Sequence, residues 1–499
     1  NNRGISSMTL TISFQNKLSL NIPNVINNKD YHDYKNLLSR IDEILHFTGM
    51  DFEFAEYYIN QLSDEPECKL TAKQVEKYSK YAITGLRCMI IKHLTGAGFR
   101  ELSVRLAEST LLQWFCQVGG IDKIQVPSKS QLQRYSTCIS EVYIRDFIQR
   151  LFDKVSGSDN ILNLDSPFNA EDIYLDATCL KANIHFPVDW LLLRDGMLSL
   201  LQSIIVIRKH GLRHRIKAPE EFMNRVNNLS IEMTNTRRKP NSNKARKEVF
   251  RKLKKLAKVI RAHGSRYYEL LKNEWRDSSD LSEGNVNEIL KRIDNILTKL
   301  PEAVKQAHSR IITGLQIKSK DKILSLFDDS ARVITRGKSG AEVEFGNTLF
   351  IAEQSDGFIL DWKLYKASAP SDPTMTIESL KRISDNSIEV KSVAGDRGCD
   401  SKNCKKFITE KKMTNNICPR NPHELIEKLR SEEFRSHQNR RSQTEGRIGI
   451  LKNKFTGSPI KNKNFVYKET SVAWAVLTHN LWVLARLDYS CEATLNVAA

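Results

Sequence analysis

The sequence predicts an α/β sheet domain split by a large α-helical insertion and preceded by an all-α region. Three observations lead to that expectation. Short β-prone apolar runs occur at 171–187 and return at 321–369 and 388–394. The stretch between the first two runs has helical periodicity throughout. Ahead of the first run, the chain from Thr71 onward reads as helices joined by tight turns.

Residues 1–67 begin irregularly, with an Asn-rich patch around Asn21–Asn28 and Met8 as a candidate start. Tyr31 to Leu62 reads as helical, with no role assigned. From Thr71, an apolar face of Val75, Tyr78, Ile83, Leu86 and Ile90 runs to a stop at Gly96 and Gly98. Phe99 to Ala107 is a short helix, and a turn at Pro127-Ser128 leads into Lys129–Tyr135. A Ser-capped helix carrying Lys129, Gln131, Gln133 and Arg134 suits a helix-turn-helix reader of the DNA major groove. An ordinary helical bundle is the alternative.

Asp172 to Thr178 reads as one strand, and Asn183–Phe186 as a second, ended by Pro187. Asp is depleted in strands, so Asp176 at the close of an apolar run is either a carboxylate facing a cleft or a turn former. From 189 to 320 the chain is helical and basic, with 29 Lys/Arg against 14 Asp/Glu. Lys244–Arg261 alone holds nine Lys/Arg and one acid, around an apolar seam of Val249, Leu253, Leu256 and Ile260. The seam is structural. The cationic exterior, Lys252 and Lys255 included, is either a solvated face or a clamp on the DNA backbone.

Strands are expected at Lys322–Phe327, Ala331–Ile334, Gly346–Ala352 and, after a turn at Asp356-Gly357, Phe358–Trp362. A short helix at Ile377–Ile383 precedes a strand over Ile388–Ala394, which ends at Gly395-Asp396-Arg397-Gly398. Asp396, like Asp176, therefore sits at the carboxyl end of an apolar strand, where open α/β sheets place their chemistry. Asp400-Ser401 caps the helix that follows.

Arg440 to Phe455 reads as a helix that sets Arg441, Glu445 and Lys452 within an arc of roughly 40°. Ile448, Leu451 and Phe455 form an apolar stripe beside them. The final apolar run, Ser471–Leu487, is broken by His479, Asn480 and Arg486 and predicts a buried helix, with no membrane span.

The chain has 499 residues, is 40% hydrophobic and 27% charged, and carries a formal charge of +18. That describes a soluble globular protein of two to four domains with a polyanionic partner, nucleic acid first and an anionic membrane surface second. Its nine cysteines include no Cys-x-x-Cys pair, so a zinc cluster and a disulfide framework are both excluded as expectations. Two strand-end aspartates and a helix-borne glutamate in so basic a chain suggest an all-oxygen site for two hard cations, Mg²⁺ with Mn²⁺ as a substitute.

These blocks, in this order, resemble a bacterial insertion-sequence transposase of the DDE class. The similarity lies in Leu175-Asp176-Ala177-Thr178 with Asn183–Asp189, and in Ser325–Asp328 through Gly346. It continues in Ala394-Gly395-Asp396-Arg397-Gly398, Glu445–Lys452 and Thr478-His479-Asn480-Leu481. Arg441, Glu445 and Lys452 fit three positions of a Tyr-Arg-Glu-Lys signature, while Gln438 stands where the tyrosine would be.

The resemblance implies an α/β ribonuclease H-like catalytic core at 166–188 and 321–490, with a basic helical insertion at 189–320. A helix-turn-helix-like DNA-binding region at 68–165 would precede it, after an N-terminal region at 1–67. Asp176, Asp396 and Glu445 would be both the catalytic residues and the metal ligands. Arg441, Lys452, Arg447 and Arg397 would contact DNA, as would Lys129, Arg134, Lys252 and Lys255. It also implies cleavage at the element's terminal inverted repeats and attack by the freed 3′-hydroxyl on double-stranded target DNA. A homodimer or higher multimer would act in the cytoplasm, at the bacterial nucleoid. His185, Asp189, Asp361 and Asp372 are further candidates to line the cleft, each with a structural alternative. A domesticated DNA-binding protein and a host nuclease are the competing readings.

Overall fold

The computed structural model describes residue 22 and residues 25–63, 70–119, 124–158, 160–216, 218–338 and 341–488. The expectations for residues 1–21 lie outside the described residues. The chain is a mixed α/β protein in which helices flank one six-stranded mixed sheet.

Among the described residues seven helices come first: α1 (Lys29–Phe47), α2 (Met50–Ser63), α3 (Ala72–Thr95), α4 (Phe99–Glu108), α5 (Thr110–Phe115), α6 (Lys129–Tyr135) and α7 (Glu141–Ser156). Local chemistry sets their starts. Thr71 and Gln74 form a reciprocal capping box at α3, and Ser128 Oγ accepts the Gln131 N–H at α6. The C-terminal half of α3 is buried all round, including Ile83, Leu86 and Ile90 of the expected face. Inside it, Arg87 pairs with Asp42 and Asp51 and donates to Phe115 O, tying α1, α2 and α3 together.

The sheet holds β1 (Asp172–Lys181), β2 (Arg332–Lys338), β3 (Ala341–Glu353), β4 (Ile359–Leu364), β5 (Ser392–Gly395) and β6 (Thr414–Ile417). β3 is central. It pairs antiparallel with β1 over Tyr174↔Glu353 to Lys181↔Gly346, and with β2 and β4 along its two halves. On the other side of β1 the pairing is parallel, to β5 and then β6.

Between β1 and β2, the helices α8 (Asp189–Lys209), α9 (Pro219–Asn235), α10 (Ser242–Ser278) and α11 (Glu283–His308) enclose a hydrophobic core of their own. The predicted seam of Val249, Leu253, Leu256 and Ile260 lies inside it, each residue no more than 4% exposed. Among the described residues only α8 is long and apolar enough to cross a membrane by length and composition, and 56% of that window is buried. The N-terminal helices, by contrast, share one continuous core with the sheet.

Then follow α12 (Asp372–Asp385), α13 (Lys402–Glu410), α14 (Pro422–Lys428), α15 (Glu432–Ile450) and α16 (Phe465–Leu484), with a π-helical turn at Leu451–Thr456 after α15. α16 is the buried helix expected near the end of the chain, and its polar residues have structural partners. Asn480 exchanges two 2.9 Å hydrogen bonds with the backbone of Ile359 on β4. Lys468, fully buried, donates to Asp328, Ser330 and Asn347.

Four expectations change here, the first being the strand over Ile388–Ala394, which begins only at Ser392, where the Lys391 and Ser392 N–H groups both donate to Glu171 O. Asn183–Phe186 is no second strand: β1 runs unbroken to Lys181, and the following residues turn locally, Ile184 N–H donating to Ala182 O. Lys322–Phe327 is irregular, because Gln306 satisfies the Ile323 backbone and Leu326 packs into the insertion core. Ser401, not Asp400, caps α13; the Asp400 carboxylate instead accepts the Arg420 N–H.

Candidate active site

β1 alternates its side chains, so Tyr174, Asp176 and Thr178 share one face. α15 lies across that face. The Tyr174 hydroxyl and His437 Nδ1 are 3.0 Å apart, and the Arg440 guanidinium sits 4.5 Å over the Tyr174 ring. Further along, Lys452 Nζ donates to Thr178 Oγ1 at 3.2 Å. Glu445 lies between His437 and Lys452 on the helical segment, as Asp176 lies between Tyr174 and Thr178 on the strand. The helix is held in place by the buried Glu353 carboxylate, which accepts from Arg440 at 3.0 Å and Thr444 at 2.8 Å. Gln438, at the expected tyrosine position, anchors the same helix by donating to Asn416 O and Gly395 O at the ends of β6 and β5.

Asp176 is in the middle of β1, not at its end. It is nevertheless an end position for the parallel half of the sheet. Pairing with β5 stops at Tyr174↔Ala394, so Asp176 and Asp396 each stand two residues beyond the last shared pair. β5 ends at Gly395, and Asp396 caps a tight turn, its Oδ1 accepting from Cys399 N–H at 3.3 Å.

The electrostatics reflect this proximity. Burial, with contributions from Asp396 and Glu445, pushes the Asp176 carboxyl up to about 6, against the Ala177 N–H and Arg441, which pull it down. Glu445 itself is 57% exposed and pairs with Arg441 at 3.6 Å.

A fourth carboxylate joins this group. Asp372, the first residue of α12, faces Asp396 across Gly398. A Cβ on Gly398 would strike Asp372 Oδ2 and lie 2.9 Å from Asp396 Oδ1. Burial first, then Asp396, raises the Asp372 pKa, while Arg420 lowers it. In sequence Asp372 is one of four further candidates to line the cleft, with a loop carboxylate as its alternative; its position across the turn from Asp396 singles it out.

The other candidates are spread out. Arg397 is exposed beside Asp396, and its carbonyl accepts from Arg420 Nε at 2.9 Å. Arg447 lies on the opposite side of α15, packed against Gly357 of the β3–β4 turn, where a positive φ of 96° and a missing Cβ make room. Burial lowers its pKa, and one of its guanidinium nitrogens is buried without a hydrogen-bond partner. Lys129 and Arg134 are exposed on α6, whose Leu132 and Tyr135 are buried. Lys252 and Lys255 are exposed on α10, far along the chain from the carboxylates, with Lys252 near Glu232 and Glu248.

Asp361 is bound by Arg145, Arg382 and Ser379, and Asp189 by Gln306 and Arg310, so both are structural. His185 is exposed in the loop after β1.

Among the described residues, no group of three or more His, Cys, Asp or Glu side chains is arranged to hold an ion as it stands. The donor chemistry still fits a hard cation: carboxylates only, two of them with raised pKa values, in a place where Asp396 opposes the ionisation of both. Compared with protein-family models, curated proteins and solved structures, the chain matches none.

Proposed function

We propose that this protein is a DNA transposase of the DDE class, with a ribonuclease H-like core, which cuts the ends of an insertion element and joins them to target DNA. The observation that carries the reading is the level placement of Asp176 and Asp396 where β5 parts from β1, with the Glu445 helix laid across them. The basic insertion and the exposed cations of α6 and α10 support a polyanionic partner of the size of a DNA duplex.

Asp176, Asp396 and Glu445 would hold the magnesium ions, with Asp372 beside Asp396. Bound there, the ions would supply an activated nucleophile and charge neutralisation for phosphodiester cleavage and transfer. The chain's own residues do the rest. Lys452, kept beside Asp176 by its bond to Thr178, offers a point charge to a phosphate. Arg441 sits on the same side of α15 as Glu445 and holds that carboxylate until a ligand competes for it. Gln438, Arg440 and Thr444 fix the helix so that these groups stay over the strand ends.

The test is an assay with the purified chain, Mg²⁺ and labelled DNA bearing the element end. Strand-joined products that disappear in Glu445→Gln, with end binding retained, are the expected result. Nicked products without joining would instead identify a host nuclease. Binding without any Mg²⁺-dependent cleavage would identify a domesticated DNA-binding protein.

A further inference from the structure

A cleft of about 740 Å³ lies where the end of α3, the start of α4 and α6 meet the segment 455–474. That volume falls within the roughly 300–1,000 Å³ typical of small-molecule sites. Three cations, Lys92, Arg134 and Lys461, line it, and no acid does so among the described residues. Lys92 is partly buried, with Nζ 5.2 Å over the Phe99 ring, and burial together with Lys461 pushes its pKa down to about 8. Lys92, largely removed from solvent, and the exposed Lys461 repel each other, and an anion between them relieves that repulsion.

The walls are not only cationic. Tyr467 is 51% exposed and Phe99 half-buried, so both offer ring surface for stacking. Trp474, 1% exposed, also lines the cleft, and its indole N–H is buried without an acceptor, which is unusual for a buried tryptophan. His93 is kept neutral by burial; with Nδ1–H donated to Phe455 O at 2.8 Å, its Nε2 is left as an acceptor. Cations and stacking surface come together in one concavity, whose wall is backed by the buried Trp474 and His93.

We propose that this cleft binds a phosphorylated nucleoside, its phosphate held by Lys92, Lys461 and Arg134 and its base stacked on Tyr467 and Phe99. None of these residues belongs to the carboxylate site, and only Arg134 is shared with the α6 cations of the proposed DNA surface, so nucleotide binding without metal fails or succeeds independently of cleavage. The ligand has two possible sources with the same chemistry: a free mononucleotide, or one nucleotide of a single-stranded DNA segment.

Titration calorimetry on the full chain without divalent metal distinguishes them, using 5′-AMP, adenosine, inorganic phosphate and a six-nucleotide single strand as probes. The expected result is 5′-AMP binding at least tenfold tighter than either adenosine or phosphate, weakened at least tenfold in Lys92→Gln/Lys461→Gln. Lys461→Gln alone, at an exposed position, should weaken it about threefold and guards against misfolding of the double variant. A single strand that displaces 5′-AMP with higher affinity would assign the cleft to DNA; 5′-AMP binding unaffected by the strand would assign it to the free nucleotide. If neither 5′-AMP nor the strand binds below about 1 mM, or if both lysine variants bind like the wild type, the proposal is overturned.

Discussion

Asp176 and Asp396 stand level with each other, each two residues past the Tyr174↔Ala394 pair at which β1 and β5 separate. Neighbouring strands run about 4.8 Å apart, so two carboxylates so placed interact unless something positive comes between them. Arg441 supplies part of that charge, through the pKa of Asp176 and its pairing with Glu445.

This leads to a pH dependence of known sign. The Asp176 pKa of about 6 in the fold exceeds the roughly 3.9 of an unfolded Asp. A raised acid pKa means that the folded state binds the proton more tightly, so its contribution is present below about pH 4 and lost as pH rises through about 6. Asp176→Asn should therefore melt a few degrees above the wild type at pH 7.5, and together with it near pH 4. Millimolar Mg²⁺ should close that gap by raising the wild type alone. Scanning calorimetry at the two pH values checks all three outcomes.

Gly398 separates Asp372 from Asp396. A methyl group there would press on both carboxylates, whereas the backbone conformation itself tolerates alanine. Gly398→Ala should reduce Mg²⁺-dependent cleavage at least tenfold with little loss of helical circular dichroism. Asp372→Asn should weaken Mn²⁺ binding, read by electron paramagnetic resonance, without changing affinity for DNA.

Lys468 and Asp328 form a buried ion pair at the foot of α16, completed by Ser330 and Asn347. Removing one partner leaves the other charge buried. Lys468→Ala should cost about 3–5 kcal/mol in urea unfolding. Lys468→Met with Asp328→Asn should cost clearly less, because no lone charge remains.

Lys252 and Lys255 are exposed on α10 and sequence-blind in chemistry. If each contacts one phosphate, replacing both by Gln should flatten the slope of log K against log salt by about 2. Fluorescence anisotropy over a salt series measures it, and the loss should be equal for specific and unrelated duplexes.

Patterning within short windows was legible without coordinates. The seam from Val249 to Ile260, the stop of α3 before Gly96, the Ser128 cap and the apolar stripe of Ile448, Leu451 and Phe455 are all local in origin, and all four are observed. Segments whose backbone finds a partner far away are not legible in this way. Ile323-Leu324 looks like a strand, but the Gln306 side chain takes its hydrogen bonds. Thr414–Ile417 is a strand despite two asparagines, since β5 lies beside it and Gln438 and Lys428 donate to its carbonyls.

The candidate site divides in the same way. Its residue types and their order along the chain belong to the sequence, as does the helix that carries Arg441 and Glu445, although Lys452 lies past its end in the π-helical turn Leu451–Thr456. Tertiary structure alone decided that Asp176 ends a strand only with respect to β5, that Asp372 joins Asp396, and that Arg447 turns to Gly357. The reason is range. Helix faces and caps are set by neighbours three or four residues away, whereas the carboxylates of Asp396 and Glu445, 220 and 269 residues from Asp176, meet it only after β5 and α15 have packed on β1.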